Sequence, residues 1–396
     1  MHKSWLPASL MPLVWFVVWL VVAVLLLVNA ESTPVIGRPA KTSTAAAAKP
    51  QHSSSGWVLE AQGLVPQPPL TPAAHASNLV ALPNNPQFSL AVFWFAGSKE
   101  AKPDVRIAMS LWSRQQQAWT DPVWVVDRLS AGRSLGKGIL HIGNPVAWLD
   151  QEQRLHLFVV GTGLGGWAAS RVLHVRQPSS DIHPAQAKFE VVGQLPLGWL
   201  WNLSHLVRHA PLPLADGGMV LPLHFELGKH YPVFAWFSPS GEFQGLRRLA
   251  HMRRVLQPAV IAIDANHWQA YMRSLSPHDK VSLISSADAG SHWSEREALS
   301  LSNQDSAVAA VMLPGAGAVM ARNPYERGRS LLVMHNSVDG LQWSAPQTLV
   351  DGLPQTEYSY PSMSWIDDRL WVSYTELRQG IAWQRWRAQP AAKAKP

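Results

Sequence analysis

The stretch SSADAGSHWSEREALSL at residues 285–301 and the stretch NSVDGLQWSAPQTLV at residues 336–350 share one short pattern of Ser, Asp, Gly and Trp. A short Asp side chain accepts hydrogen bonds from backbone amides two or three residues further along the chain. Gly290 supplies a backbone angle that other residues resist, and the Trp that follows shields the turn. The pattern therefore predicts a hairpin turn, and it gives Asp288 and Asp339 a structural role rather than a catalytic one.

The spacing of the two turns decides among the all-β folds. Trp293 and Trp343 are 50 residues apart, and one four-stranded propeller blade takes about 40–50 residues. Short β-prone runs bounded by Gly, Pro, Asn and Asp recur from residue 57 to residue 387, where helical periodicity is scarce. This part of the chain has room for about six such units. The sequence thus predicts an all-β fold, with a six-bladed β-propeller over residues 57–387.

The first thirty residues predict export. Residues 4–30 contain no charged side chain, Lys3 stands before them, and the run ends in a small residue, Ala30. This order is typical of a signal peptide, but the apolar run is close to the ~20 residues that span a bilayer. Two predictions therefore stay open for residues 1–30, a cleaved signal and an uncleaved membrane anchor. In either case we expect the rest of the chain in the periplasm, anchored on the periplasmic side of the inner membrane, or secreted.

The segments that flank the predicted propeller differ from it in composition. Residues 31–56 are rich in Ala, Ser, Thr and Pro and lack aromatic side chains until Trp57, and residues 388–396 are similar. Such segments bury too little apolar surface to fold, so the sequence predicts a flexible linker and a disordered tail. The chain has no cysteine, which excludes disulfides and leaves its stability to the core.

The composition of the chain also limits the classes of molecule that it is expected to bind. The formal net charge is +7, but the Lys and Arg residues are scattered, which favours an acidic polysaccharide, lipid headgroups or a simple role in solubility over nucleic acid. The 20 Trp residues suit both β-sheet cores and sugar rings. The Gly-rich run GTGLGG opens no helix in a βαβ unit, and the His residues lack metal-ligand spacing. The sequence therefore predicts no nucleic-acid partner, no cofactor and no metal.

The two turns resemble the Asp-box, the bacterial neuraminidase repeat of sialidases. Further blocks between about residue 70 and residue 387 resemble successive blocks of the predicted-neuraminidase family in the sialidase superfamily. These blocks are AVFWFAGSKEAKPDVRIAMSLW, GNPVAWLDQEQRLHLFVV, PLPLADGGMVLPLHFELG, LQPAVIAID, NQDSAVAAVML and EYSYPSMSWIDDRLWVSYTELRQGIAW. The resemblance implies a sialidase-like propeller that acts on glycans.

The resemblance also implies a set of reacting groups. Sialidases use an Asp as general acid and a Tyr, activated by a Glu, as nucleophile, in place of the usual carboxylate pair. In this sequence Asp104 of KPDVRI matches the acid, with Glu100 as its competitor in the substrate site. Glu226 of LPLHFELG matches the base, and Tyr360 of EYSYPSMSW matches the nucleophile.

The residues that would bind the substrate follow from the same resemblance. Three Arg side chains of sialidases hold the substrate carboxylate by paired hydrogen bonds. The matching positions here are Arg273, Arg322 and Arg378, and Tyr358 stands beside the nucleophile. The aromatic-Arg-Ile-Pro motif that supplies the first Arg of sialidases is replaced by PAAHASNLVAL, with His75 and no Arg. A protonated His binds a carboxylate weakly, so an acidic or neutral sugar other than sialic acid is as well predicted as sialic acid.

These observations leave three functions open. The first is an exported sialidase-like glycoside hydrolase that acts on terminal, acidic sugars of a glycan or exopolysaccharide. The second is a non-catalytic glycan-binding or scaffold propeller of the cell envelope, which the missing first Arg and the predicted N-terminal tether favour. The third is another polysaccharide-active enzyme, such as a lyase with Tyr and His as base and acid.

Overall fold

The computed structural model describes residues 11–29, 56–180, 188–198, 202–249, 251–275, 280–303 and 305–389. A helix, α1, spans Met11–Asn29. Within the described ranges no helix is both long enough and apolar enough to cross a membrane. The predicted linker and tail lie outside the described residues, apart from Gly56, Ala388 and Gln389.

From Trp57 onward the chain forms six antiparallel sheets. The chain enters through β1 (Trp57–Leu64), which belongs to the sixth sheet. The first sheet contains β2 (Ala73–Ala81), β3 (Phe88–Gly97), β4 (Arg106–Ser113), β5 (Ala118–Trp119) and β6 (Val123–Asp127), and a helix, α2 (Arg128–Leu135), follows it. The second sheet contains β7 (His141–Leu149), β8 (Leu155–Gly163), β9 (Gly166–Arg176) and β10 (Glu190–Gln194). The third contains β11 (His205–Val207), β12 (Leu212–Pro213), β13 (Met219–Phe225), β14 (Tyr231–Phe237) and β15 (Phe243–Arg248).

The remaining sheets complete the ring. The fourth contains β16 (Val255–Ala262), β17 (Trp268–Ser274), β18 (Ser282–Ser286) and β19 (Ser294–Glu295). The fifth contains β20 (Ala309–Leu313), β21 (Gly317–Arg322), β22 (Leu331–Ser337) and β23 (Gln347–Asp351), with a short 3-10 helix at Tyr325–Ser330. The sixth contains β24 (Tyr358–Ile366), β25 (Arg369–Glu376) and β26 (Gly380–Ala388). The prediction of a six-bladed β-propeller is confirmed.

The ring closes between the first and the last strand of the propeller. β1 pairs with β26 as the outer strand of the sixth sheet, so both ends of the propeller share one blade. Trp112 of the first sheet packs against Trp371 and Trp383 of the sixth, with ring centroids 4.8 and 4.9 Å apart. Large aromatic contacts of this kind stabilise a packed interface beyond the area they bury. The Trp-rich composition therefore serves, in part, to hold the closing blade.

The two Asp-box turns have the predicted construction. Asp339 accepts hydrogen bonds from the amides of Leu341 and Gln342 at 2.8 and 2.9 Å. In the other turn Asp288 accepts one from the amide of His292 at 2.8 Å. Trp293 is buried and stacks on a ring of the third sheet, with centroids 4.6 Å apart. Asp288 and Asp339 thus hold turns, as predicted, far along their blades from the reacting groups discussed below.

The innermost strand of four sheets carries the same irregularity. Each pairing shifts register at a residue with positive φ, and these residues are Ala76, Asn144, Gln257 and Tyr360, with φ of 54°, 45°, 55° and 55°. In the last three the next residue is proline, which has no amide hydrogen to give to a ladder. A bulge of this kind turns a side chain away from the regular pleat. The inner strands therefore present single side chains toward the propeller axis.

The loops sort into two faces. In each sheet the connection between the second and third strands lies at the same end as the connection from one sheet to the next, and we call this end the cavity face. The turns between the first and second strands and between the third and fourth strands lie at the other end, which we call the turn face. The Asp-boxes lie on the turn face, whereas Glu226 and Arg378 lie on the cavity face.

Candidate active site

A cavity of about 540 Å³ opens on the cavity face between the first, second and sixth sheets. Its polar lining includes His75, Lys99, Glu100, Arg378 and Gln379, and its apolar lining includes Phe95 and Trp167. A concave site with an aromatic wall and a few convergent polar groups is the usual form of a small-ligand site. Three of the sequence-predicted residues, His75, Glu100 and Arg378, are therefore brought together here.

Tyr360 lies on the bulge of β24 beside this cavity. Its ring makes an edge contact with the ring of His75, with centroids 4.5 Å apart. Its φ of 55° is unusual for a residue with a large side chain, and such strain persists only where the surroundings enforce it. Here the enforcing group is the buried Arg208, which donates hydrogen bonds to the carbonyl oxygens of Tyr360 and Pro361.

Besides Arg208, whose guanidinium carbon lies 5.2 Å from the ring centroid, three guanidinium groups lie near Tyr360, and we call these three with it the Tyr360 cluster. Tyr360 is among the groups that raise the pKa of Arg273 of β17, so this guanidinium lies within the electrostatic reach of Tyr360. The guanidinium carbon of Arg329 lies 5.6 Å from the ring centroid of Tyr360. The pKa of Arg378 is raised against the effect of burial, chiefly by Glu357 and also by Glu100 and Tyr360. The cluster thus combines a possible oxygen nucleophile with donors suited to a carboxylate.

Acidic side chains of the protein already pair with these arginines. Glu357 accepts from Arg329 at 2.9 Å and from Arg378 at 2.6 Å. Burial alone would raise the pKa of Glu357, but its hydrogen bonds with Arg378 and Ser359 and the charge of Arg329 lower it to about 2. Glu357 is therefore ionised at neutral pH. It occupies the donors that a carboxylate ligand would use.

Arg273 has a carboxylate partner of its own. Asp305 accepts from its Nε at 2.6 Å, and the pKa of Arg273 is raised, because Asp305 and Tyr360 outweigh the effect of burial. Glu226 lies near the same guanidinium and shares a 3.0 Å hydrogen bond with His224. Burial would raise the pKa of Glu226, but His224, His230 and Arg273 lower it. Glu226 is thus an ionised, half-buried carboxylate within the electrostatic reach of Arg273.

The two predicted acids have different surroundings. Asp104 is exposed on the loop between β3 and β4, where it accepts from the amide and the hydroxyl of Ser98 at 2.7 and 2.8 Å. Although its slight burial acts to raise the pKa, these hydrogen bonds lower it overall, which disfavours proton donation at neutral pH. Glu100 lines the cavity and forms a 2.7 Å ion pair with Arg378. Geometry therefore favours Glu100 over Asp104 as the group that faces a ligand.

His75 lines the cavity, but not as a cation. It is 4 % exposed, and burial, together with the charges of Arg378, Arg208 and Arg329, lowers its pKa to about 3 despite the opposing charge of Glu357. At neutral pH the imidazole is neutral. The expected binding of a carboxylate by protonated His75 therefore has no support in this geometry, and His75 serves the cavity as a neutral wall.

Two predicted residues are separated from the Tyr360 cluster. Arg322 is buried at the end of β21, where it donates to the carbonyl oxygen of Ser302 at 2.5 Å and to His335 at 3.2 Å. Tyr358 packs into the apolar cluster between the fifth and sixth sheets, with its ring 6.3 Å from that of Tyr374. The bulge at Tyr360 explains why Tyr358 is separated from the cluster. In a regular strand residues 358 and 360 would point to the same side of the sheet, and the bulge breaks that alternation.

Sequence reasoning missed Arg329, Asp305, Arg208 and the bridging role of Glu357. Arg322 was predicted because it follows a strand-like run. Arg329 was missed because it lies seven residues later, in the 3-10 helix. The feature of the sequence that could have identified these residues is their position within a blade. Arg329, Arg378 and Glu226 each lie in the connection between the second and third strands of a blade, so a correct blade register identifies them. The described residues contain no group of three or more His, Asp or Glu side chains that could hold a metal ion.

Comparison with known proteins supports this assignment of the fold. The family model described as a BNR repeat-like domain matches residues 89–372. The chain therefore belongs to the BNR repeat-like domain family, and the expected resemblance to sialidases is confirmed at the level of the family and the fold. No curated protein sequence matches the chain.

Several solved structures are similar in fold. The Hadza microbial sialidase Hz136 has a TM-score of 0.61 at 14% identity, covering 79% of this chain and 65% of that one. A protein of unknown function from Dyadobacter fermentans has a TM-score of 0.65 at 13% identity, covering 85% and 100%. The Trypanosoma rangeli sialidase in complex with sialic acid has a TM-score of 0.59 at 12% identity, covering 91% and 59%. This chain thus spans less than two thirds of the length of the sialidases it resembles.

Proposed function

We propose that this protein is a glycoside hydrolase that releases a terminal acidic sugar from a glycan. The observation that carries the proposal is the group of guanidinium side chains beside Tyr360: Arg329 lies 5.6 Å from its ring, and Arg378, which lines the cavity, shares Glu357 with Arg329. Arg273 of the fourth sheet lies within the electrostatic reach of the same tyrosine. Guanidinium forks bind carboxylates by paired hydrogen bonds. Proteins of this fold include sialidases, one of them described in complex with sialic acid.

Ligand binding would exchange one carboxylate for another. Glu357, Glu100 and Asp305 now neutralise Arg329, Arg378 and Arg273. A sugar carboxylate that enters the cavity would compete with these protein carboxylates for the same donors. Trp167 and Phe95 on the cavity wall offer apolar faces to the sugar ring. The site therefore favours an acidic sugar over a neutral one.

The chemical step uses the Tyr360 hydroxyl. Its oxygen forms a bond to the anomeric carbon while the glycosidic bond breaks, and its proton passes to a nearby carboxylate, for which Glu226 is our candidate. The leaving oxygen takes a proton from Glu100, which lines the cavity; for this step Glu100 must first give up its ion pair with Arg378 and bind a proton from solvent. Water then attacks the anomeric carbon and cleaves its bond to the Tyr360 oxygen, which takes back its proton, with the same groups acting in the reverse sense.

The matched pair Tyr360→Phe and Tyr358→Phe tests the proposal in the full-length protein. The substrates are chromogenic glycosides of sialic acid, of glucuronic acid and of a neutral hexose. We expect release from an acidic glycoside, a loss of about 10³-fold or more in kcat for Tyr360→Phe, and full activity for Tyr358→Phe, whose hydroxyl is remote from the cavity. Turnover of the neutral glycoside alone, or equal activity of the two variants, contradicts the proposal.

A non-catalytic glycan-binding propeller is the second candidate. The specific observation in its favour is that Asp104, the group that the sialidase resemblance assigns as acid, is held as a turn carboxylate by Ser98. This function predicts binding of an acidic glycoside, measured by calorimetry, with no product after prolonged incubation. Arg329→Gln should then weaken binding, whereas Arg327→Gln, whose side chain pairs with Asp351 on the surface, should not.

We infer that the propeller works outside the cytoplasm, as the uncharged run over residues 4–30 suggests. Protease added to intact cells, or to cells with a permeabilised outer layer, should then degrade the propeller. Protection of the propeller in both preparations contradicts export.

A further inference from the structure

The cavity face and the turn face carry opposite charge. Within the described residues the cavity-face connections contain twelve basic and six acidic side chains. Arg296 and Glu297 are not counted, because this segment lies alongside β18 rather than at the face. The basic ones are Lys99, Lys102, Arg128, Arg133, Lys137, Lys229, Arg253, Arg254, Lys280, Arg327, Arg329 and Arg378, and the acidic ones are Glu100, Asp104, Glu226, Asp305, Glu326 and Glu357.

The turn face shows the reverse balance. Its described turns contain three basic side chains, Arg114, Arg154 and Lys188. They contain nine acidic ones, Asp150, Glu152, Asp216, Glu242, Asp264, Asp288, Asp339, Asp367 and Asp368. Counted over these side chains alone, the described connections carry a net charge of +6 on the cavity face and −6 on the turn face. A molecule with this polarity turns its cavity face toward an anionic surface.

The excess positive charge is concentrated beside the cavity. Lys99, Lys102, Arg133 and Lys137 are exposed, and none of them forms an ion pair within the described part of the chain. Arg128 joins them into one arc, because it donates to the carbonyl oxygen of Pro103 and so links α2 to the loop that contains Lys99 and Lys102. The arc reaches the cavity through Lys99, which lines it. Its charges are available to an external anion.

Exposed leucines lie on the same face. Leu70 is 100 % exposed, Leu164 is 89 % exposed and Leu353 is 77 % exposed, and each lies at the tip of a cavity-face connection. The other exposed leucines of this face are Leu129, Leu140, Leu227 and Leu377. The turn face offers Val338 and Leu341, both in one Asp-box turn. Single exposed leucines are ordinary, but their placement on the basic face is not explained by folding.

We propose that the cavity face docks on an anionic lipid surface. The leucine tips enter the boundary between headgroups and acyl chains, and the Lys and Arg side chains lie against the phosphates, as at other interfacial surfaces. A soluble polyanion would use the cations but gain nothing from the leucines, which favours lipid as the occupant. The exposed apolar side chains of α1, from Met11 to Val22, give the chain a second element with affinity for lipid.

Docking in this orientation brings the cavity to sugars carried on lipids. That consequence rests on the proposed function, but the docking itself does not. The substrate class would then be an acidic sugar displayed close to a membrane surface, for example on a glycolipid, rather than a free oligosaccharide.

Because the chain lacks cysteine, a single introduced thiol can report the docked face. A polarity-sensitive dye is attached to Leu164→Cys on the cavity face or, as the matched control, to Leu341→Cys on the turn face, in the full-length protein. The probes are vesicles of phosphatidylglycerol with phosphatidylcholine, vesicles of phosphatidylcholine alone, and soluble alginate.

We expect a several-fold rise in fluorescence at position 164 with the anionic vesicles, with shielding of that dye from an aqueous quencher, and little change at position 341. Equal responses at the two positions would mean adsorption through another element such as α1, and they overturn the proposal. No response at position 164, or a response to alginate but not to anionic vesicles, also overturns it. The readout needs no turnover, so its result is independent of whether the protein is an enzyme.

Discussion

Arg208 of the third sheet donates a 3.1 Å hydrogen bond to the carbonyl oxygen of Pro361, in the sixth sheet on the opposite side of the ring. The same guanidinium donates to Ser77 of the first sheet at 2.9 Å and to Tyr360. Burial lowers the pKa of Arg208 to about 10, so the group is still charged at neutral pH. One buried cation thus ties three blades together and holds the bulge that presents Tyr360.

Arg208→Met should therefore destabilise the propeller strongly. It leaves three buried carbonyl oxygens without this donor, and unpaired buried polar groups are costly, so we expect a loss of about 3 kcal/mol or more in the free energy of unfolding. Arg327→Met, which removes a surface ion pair with Asp351, should cost less than about 1 kcal/mol. Urea denaturation measures both. Equal midpoints for Arg208→Met and the unsubstituted protein would show that the bulge does not depend on Arg208.

The sequence was sufficient for the ring but not for the site. The Asp-box turns are local, since Asp288 and Asp339 bond to amides within four residues, and their spacing predicts the blade length. The bulge at Tyr360 depends on Arg208, which is 152 residues away, and no local pattern encodes that contact. The motif of a polar or aromatic residue before proline, at Asn144, Gln257 and Tyr360, was present in the sequence. Its positive φ was not deducible, because the residue before proline normally prefers an extended backbone.

The candidate site shows the same limit. Arg378 and Glu100 were predicted separately, and their ion pair joins residues 278 positions apart. Arg329 was missed because a 3-10 helix, rather than a strand end, returns it to the cavity. Residue type and the positions of strand ends predict which charged side chains lie on the cavity face. Which of these side chains contact one another depends on the conformation of the loops.

Acid should weaken the fold through the buried histidine pair of the second sheet. His156 and His174 hydrogen-bond at 2.8 Å, and His156 also bonds Asp150 at 3.1 Å. Burial lowers the pKa of His174 to about 3 and that of His156 to about 4. The unfolded chain binds protons at these groups below about pH 6.5, so their contribution to stability is full above that pH and falls as the pH decreases toward 3–4.

His174→Gln tests this directly. For one His with these pKa values, the unsubstituted protein should lose about 2 kcal/mol between pH 7.5 and pH 5, and the variant should lose less over the same range. His292→Gln is the control, because that side chain is exposed on an Asp-box turn. Thermal unfolding at several pH values gives the comparison. A pH dependence that is the same in His174→Gln and in the unsubstituted protein excludes His174 as a cause.

Gly340→Ala should be far more damaging than Gly315→Ala. Both glycines have positive φ, 73° and 68°, so both substitutions carry the same backbone strain. A methyl group at Gly340 would overlap the side chains of Gln269 and Tyr271 in the neighbouring blade, whereas at Gly315 it meets nothing within 4 Å. We expect about 1 kcal/mol of destabilisation for Gly315→Ala and about 2 kcal/mol more for Gly340→Ala. Equal unfolding midpoints would show that the Asp-box turn does not pack tightly on the next blade.

The charge polarity of the propeller predicts how salt acts on membrane binding. Replacing Lys99, Lys102, Arg133 and Lys137 with Gln removes four charges from the arc beside the cavity and leaves the leucines in place. Each such charge near an anionic surface contributes about 1 kcal/mol at physiological ionic strength, so we expect a large drop in the fraction bound to phosphatidylglycerol vesicles in sedimentation assays.

Salt should produce the same loss in the unsubstituted protein, because a Debye length of about 10 Å at 0.1 M shrinks to about 3 Å at 1 M. The single variant Lys188→Gln removes a cation from the turn face and should bind as the unsubstituted protein does. The binding to vesicles that persists at high salt measures the apolar part of the interaction. The double variant Leu70→Ser, Leu164→Ser should reduce this residual binding. If the fourfold Gln variant bound as tightly as the unsubstituted protein at low salt, the arc would have no part in docking, and the asymmetry of charge between the two faces would need another explanation.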